Sequence, residues 1–234
     1  MRAASVVVVV GLVCAALAAM PTMGAGLDAG EASFFGYSGL IAIPTADVLP
    51  VADLNVSGSS VPNGNDLTVF GANAGLPLGL EGGLAVLSPE HGGSNTELNL
   101  RWHIPGTGVR QVPSIAIGAV DLTNEVNFTP YAVLSASLAE GLGVNRNGSA
   151  SPVRDVRGHI GLGSADHGGT LDGVFGGVSV LLGSRVAAMG EFDADHLHIG
   201  ARVTVLPGLR AQAALMDTKH LALGLSYRFR LPGR

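Results

Sequence analysis

The sequence predicts an all-β protein, an antiparallel meander closed into a β-barrel. Three observations lead there. The hydrophobicity is cut into pieces of about ten residues that alternate with period two. Turn chemistry separates the pieces, at Pro62-Asn63-Gly64-Asn65, Pro89 to Asn95, Pro105-Gly106, Asn145 to Pro152, Gly183-Ser184 and Pro207-Gly208. Charge is scarce: 13% of the 234 residues are charged and 47% are hydrophobic, where a soluble domain carries about 25% charged residues. That balance excludes intrinsic disorder and a charged helical coiled coil. The 35 glycines follow no collagen-like period of three, and a net charge of −5 argues against a nucleic-acid partner.

From the N-terminus, Met1-Arg2 is a short positive region and Val6 to Ala19 an uncharged apolar run, followed by small residues. This is the pattern of a secretory signal peptide over residues 1–25. The apolar run is too short to span a bilayer comfortably as a helix. Cys14 lies inside it, so the mature chain is expected to hold no cysteine. Residues 26–51 form an N-terminal segment, 52–229 the barrel, and 230–234 a short tail. Strands are expected at 52–61, 66–74, 79–88, 97–104, 113–122, 129–139, 153–163, 171–182, 185–193, 197–205, 209–216 and 221–229, which gives about twelve, between roughly ten and fourteen. Among them Leu98, Leu100, Trp102 and Ile104 oppose Glu97, Asn99, Arg101 and His103. Leu221, Leu223, Leu225, Tyr227 and Phe229 oppose Ala222, Gly224, Ser226 and Arg228.

Which face meets which solvent decides the class. A soluble sandwich shows charge outward, but the polar faces here carry mostly Gly, Ala, Ser and Thr. A barrel in lipid turns apolar side chains outward and lines its interior with small and polar ones. Closure leaves no unpaired edge in hydrocarbon. The last strand ends Tyr227-Arg228-Phe229, as closing strands of bacterial outer-membrane barrels commonly do, which implies the bilayer and the barrel-assembly machinery as partners. Trp102, Tyr131, Phe192, Tyr227 and Phe229 are placed to form a thin aromatic girdle. Arg101, His103, Arg202, Arg210, Arg228 and Glu97 are the candidate lumen-facing polar residues.

The segment Gly36-Tyr37-Ser38-Gly39-Leu40-Ile41-Ala42-Ile43-Pro44-Thr45-Ala46 resembles the opening of YjbH-type exopolysaccharide biogenesis proteins, with Gly39, Leu40, Ile41, Pro44, Thr45 and Ala46 carrying the motif. Pro113 to Leu122, Val174 to Val178, Glu191-Phe192-Asp193 and Gly200-Ala201-Arg202 resemble later stretches of the same family, in order. The resemblance implies a non-enzymatic outer-membrane barrel, exported from a bacterial cell, that takes part in exopolysaccharide production or export, or in envelope organisation. It further implies polysaccharide or polysaccharide-export proteins as partners. The alternatives are a passive pore or structural barrel, and a secreted soluble carbohydrate-binding β-protein.

No residue is assigned a catalytic, cofactor-binding or metal-binding role. His196 and His198 with Asp193 and Asp195 are metal-ligand types, but Asp193 to His196 reads as a hairpin turn. Asp121, Glu125, Glu191 and Asp193 are the acids that glycoside chemistry would need in a convergent pair; they read instead as interior charges balanced by Arg101, Arg154, Arg157, Arg202, Arg210 and Arg228. Gly141-Leu142-Gly143-Val144-Asn145-Arg146 has Arg146 where a dinucleotide loop needs its third glycine. The in-strand glycines Gly82, Gly83, Gly118, Gly161, Gly176, Gly177, Gly200 and Gly224 are expected to permit close approach in a small barrel. Binding is expected at the longer connections, 105–113 and 140–152.

Overall fold

The computed structural model describes residues 30–62, 66–104, 113–140 and 152–232. The signal-peptide segment with Cys14, the Gly141 to Arg146 stretch and nearly all of the two long connections lie outside the described residues. Twelve strands follow one another in the chain: β1 (Asp53–Val61), β2 (Leu67–Gly75), β3 (Leu80–Pro89), β4 (Asn95–Ile104), β5 (Ser114–Val120), β6 (Thr129–Glu140), β7 (Val153–Gly163), β8 (Gly173–Leu182), β9 (Val186–Phe192), β10 (Leu197–Leu206), β11 (Leu209–Met216) and β12 (His220–Arg230). Each pairs antiparallel with its chain neighbours. β1 pairs with β12 from Asp53 opposite Arg230 to Ser60 opposite Leu223, so the sheet closes on itself.

Alternation explains why these residues make strands and which way they face. Along β4 burial switches residue by residue: Glu97, Asn99 and Arg101 point inward, Leu98, Leu100 and Trp102 outward. β11 repeats the pattern, with Arg210, Gln212, Ala214 and Met216 inward. The outward positions of β4, β5, β8, β10, β11 and β12 carry no acidic or basic side chain. Leu98 (43% exposed), Trp102 (42%), Leu223 (54%) and Leu225 (56%) stand on the outside wall. An apolar exterior of this kind is stable in hydrocarbon and not in water. Among the described residues no helix is long and apolar enough to cross a membrane; strands of 7 to 12 residues make the wall.

The lumen is filled. Residues 31–46, apart from the partly covered Phe35, are all buried. They lie inside the barrel as a plug. Phe34, Tyr37, Leu40, Ile41 and Ile43 join inward side chains such as Val61, Val133, Phe175, Met189 and Met216, with Leu171 of the β7–β8 connection, in one apolar cluster. The sequence sets 26–51 ahead of the barrel strands, and no local pattern announces its place in the lumen, because its contacts are with residues far along the chain. One correction concerns Tyr131. It is 8% exposed and meets Phe175 edge-on inside the lumen, so it does not belong to an outer girdle. A tyrosine ring is apolar enough for either face, and period two puts it inward here.

Candidate functional site

The plug folds back on itself inside the barrel. The Phe34 N–H donates to the Ile41 carbonyl (2.9 Å), the Leu40 N–H to Ile43 (3.0 Å) and the Gly39 N–H to Glu31 (2.7 Å). Both of its ends are tied where β1 begins and β2 ends. Asn55 Nδ2 donates to the Gly30 carbonyl (3.2 Å), and the Ala52 N–H to the Gly75 carbonyl (3.1 Å).

So short a turn leaves many backbone groups unpaired, and a buried unpaired N–H or C=O costs about 1–3 kcal/mol. The wall supplies the partners. Arg101 Nη1 donates to the Ser38 and Thr45 carbonyls (2.9 and 2.7 Å). Arg202 Nη2 donates to Ala32 and Leu40 (2.9 Å each). Glu191 accepts the N–H groups of Ile41 (2.9 Å) and Ala42. Glu81 accepts the Leu49 N–H (2.7 Å), and Ser135 Oγ that of Ala46 (2.9 Å). Asn73 Nδ2 reaches the Gly36 carbonyl (2.8 Å) and Ser59 Oγ that of Phe34 (2.6 Å). His103 Nδ1 sits 2.7 Å from the Ala46 carbonyl, to which it donates.

Ion pairs complete the cage. Arg101 meets Glu81 at 2.7 Å, and Arg228 meets Asp53 at 2.8 Å, both within the wall. Three more join wall to plug: Arg210 to Glu31 at 3.0 Å, Arg228 to Glu31 at 3.7 Å and Arg157 to Asp47 at 2.7 Å. Thus Arg101, Arg202, Arg210 and Arg228 are buried in the lumen around one object, His103 is half-buried beside it, and Glu97 is buried in the β4 wall. The motif residues Gly39, Leu40, Ile41, Pro44, Thr45 and Ala46 are that object. Sequence reasoning missed Asn55, Asn73, Glu81 and Ser135 as its holders. Asn55 and Ser135 share their strand face with other polar residues, whereas Asn73 and Glu81 are isolated among glycine and apolar residues on the inward face of β2 and β3.

The acids considered for glycoside chemistry have other work. Glu191 holds the plug. Asp121, fully buried, accepts the Thr123 hydroxyl (2.6 Å) and the N–H groups of Val126 and Asn127 (2.7 Å each), organising the β5–β6 connection. Burial alone would raise its pKa, but these bonds together hold the carboxyl below the ordinary range. Asp193 accepts from the His196 and Asp195 N–H groups (2.7 and 3.0 Å). Burial opposes ionisation there too, and those bonds with the one from His198 hold it low. Glu125 is exposed. The charges that balance the lumen arginines are Glu31, Asp47, Asp53 and Glu81 rather than these four. Arg154 is exposed at the start of β7.

His198 has both ring nitrogens engaged. Nδ1 accepts the Asp217 N–H (2.9 Å), so Nε2 carries the proton and donates to Asp193 (2.9 Å). It latches the β9–β10 turn to the β11–β12 turn. Among the described residues no group of three or more His, Cys, Asp or Glu is placed to hold a metal ion.

No family model matches the chain, and no curated protein matches it in sequence. Solved structures do. The chain is similar to the KdgM porin, with a TM-score of 0.51 and 9% identity over 76% of this chain and 99% of that one. The same values hold for the KdgM porin in complex with disordered oligogalacturonate. The Acinetobacter baumannii outer membrane protein Omp33 matches with a TM-score of 0.46 and 10% identity, over 77% of this chain and 98% of that one. The likeness to KdgM is one of fold: a closed, antiparallel barrel of the outer-membrane kind.

Proposed function

We propose that this protein is an exported, non-enzymatic barrel of the bacterial outer membrane that serves exopolysaccharide production or export, and that its lumen rests closed by residues 30–50. The observation that carries the closed-barrel part is the plug itself, held by Arg101, Arg202, Glu81 and Glu191. The membrane part is supported by the apolar outer wall and by the fold shared with a porin. The polysaccharide part is supported by the ordered resemblance to YjbH-type proteins, whose motif here forms the plug.

A second reading, a passive pore, draws on the same porin likeness, but the filled lumen favours a barrel that must be opened. Bilayer conductance together with a deletion strain separates them. The proposed role expects reduced exopolysaccharide in the deletion strain and a silent wild-type barrel in planar bilayers. Steady wild-type conductance with unchanged exopolysaccharide selects the passive pore.

A further inference from the structure

The arginines that grip the plug form a binding surface of their own. Arg202 on β10, Arg210 on β11 and Arg228 on β12 stand on neighbouring strands and are all buried. Arg202 is opposite Gln212, and Arg210 opposite Ser226, which places the three on one diagonal of the inner wall. The plug offers them the Glu31 carboxylate and the carbonyls of Ala32, Gly39 and Leu40. Asp47, sixteen positions further on, places a second carboxylate on Arg157. Two carboxylates separated by a run of neutral acceptors is what an acidic glycan presents along its length. Arginine matches it through planar, forked donors.

The plug does not fill this demand. Arg210 Nε and Nη1 and Gln212 Nε2 are buried with no hydrogen-bond acceptor, although Arg210 is only 8% exposed. Buried donors left without acceptors favour an occupant with more oxygen atoms than the plug brings. The two ends of the plug, Gly30 and Leu49, lie against each other beside Asn55 of β1, so its withdrawal would break no strand pair of the wall.

We propose that this arginine face binds an acidic, uronate-bearing glycan that takes the place of the plug. The plug is then a built-in occupant of the same site, and the ligand opens the barrel by outcompeting it. This rests on the reading that the barrel handles envelope polysaccharide, and it names the chemical class.

The test uses the full-length protein in planar bilayers with two probes, trigalacturonate and neutral maltotriose. The double variant Glu31→Gln with Asp47→Asn removes the carboxylates of the plug and is expected to open at least about tenfold more often than wild type, in line with the loss of charge-assisted bonds. Its openings should favour chloride over potassium. Trigalacturonate should interrupt the current at concentrations about tenfold lower than maltotriose, and adding Arg210→Gln should abolish that difference. Should the double variant not fold, as judged by heat-modifiable gel migration, Asp47→Asn alone is expected to behave in the same direction, because its ion pair lies at the less buried end of the plug. Cation-selective openings, equal block by the two sugars, or a folded variant that never opens would each overturn the proposal. Unchanged exopolysaccharide in a deletion strain, with the uronate block intact, would instead overturn only the cellular role.

Discussion

Glu191 shows how much one side chain decides in a lumen packed with protein. Its two oxygens take the Ile41 and Ala42 N–H groups at the turn of the plug, both fully buried. Glu191→Ala is expected to destabilise the barrel by about 2–5 kcal/mol, since two buried donors lose their acceptor. Glu191→Gln keeps one accepting oxygen and should cost about half as much. Urea midpoints of vesicle-embedded protein measure both, and equal losses would mean that hydrogen bonding at this turn is not what matters. Asp121 gives the pH counterpart outside the membrane span. Its folded pKa is depressed, so its contribution is complete above the ordinary carboxylate value of about 3.9. That contribution is lost as the pH falls through the lower folded value. Amide exchange at Val126 and Asn127 should therefore accelerate in acid beyond the intrinsic rate, and Asp121→Asn should remove that pH dependence while leaving exchange fast throughout.

At the scale of the strand, the inward glycines make room for the plug. A Cβ on Gly177 would meet Leu40 Cδ1 at 2.9 Å, and one on Gly200 would meet Ile41 Cδ1 at 3.2 Å and Ala214 Cβ at 2.9 Å. Gly190, one strand away, faces outward with nothing within 4 Å. Gly200→Val is expected to cost about 1–3 kcal/mol through overpacking and to loosen the plug, whereas Gly190→Val should be nearly neutral. Protease accessibility of the plug segment and heat-modifiable migration read the two effects. The strands themselves were legible because lipid outside and polar groups inside give period two its greatest contrast. β7 and β11 have the same bounds in sequence and structure, and most of the others differ by a residue or two. The plug was not legible. It carries no regular period, and its hydrogen-bond partners on the wall lie 25 to 170 positions away, from Asn55 and Ser59 to Glu191 and Arg202. No local pattern announces contacts of that range. Tyr227 illustrates the same limit: it holds an outward position of β12 yet is buried, stacked on Phe229 and close under Gly208 of the β10–β11 turn.

For the molecule as a whole, the outer surface is what separates it from a soluble protein. The interior combines the polar cage of arginine and glutamate with the apolar cluster of the plug, and leucine is the surface. The consequence is a depth-dependent cost for charge on the wall. Leu225→Arg, placed outward in the middle of β12, should destabilise the inserted barrel by about 2–4 kcal/mol, with the penalty falling toward the strand ends, as refolding titrations in lipid vesicles would show. The chain holds a single tryptophan, Trp102, on that outer wall with its Nε1 donating to the Leu78 carbonyl at 3.1 Å. Reconstitution into vesicles whose acyl chains carry bromine near the headgroup end therefore tests the arrangement directly. Strong quenching of Trp102 by the brominated chains, with little quenching by aqueous iodide, is the predicted result. A tryptophan untouched by bromine and open to iodide would contradict it.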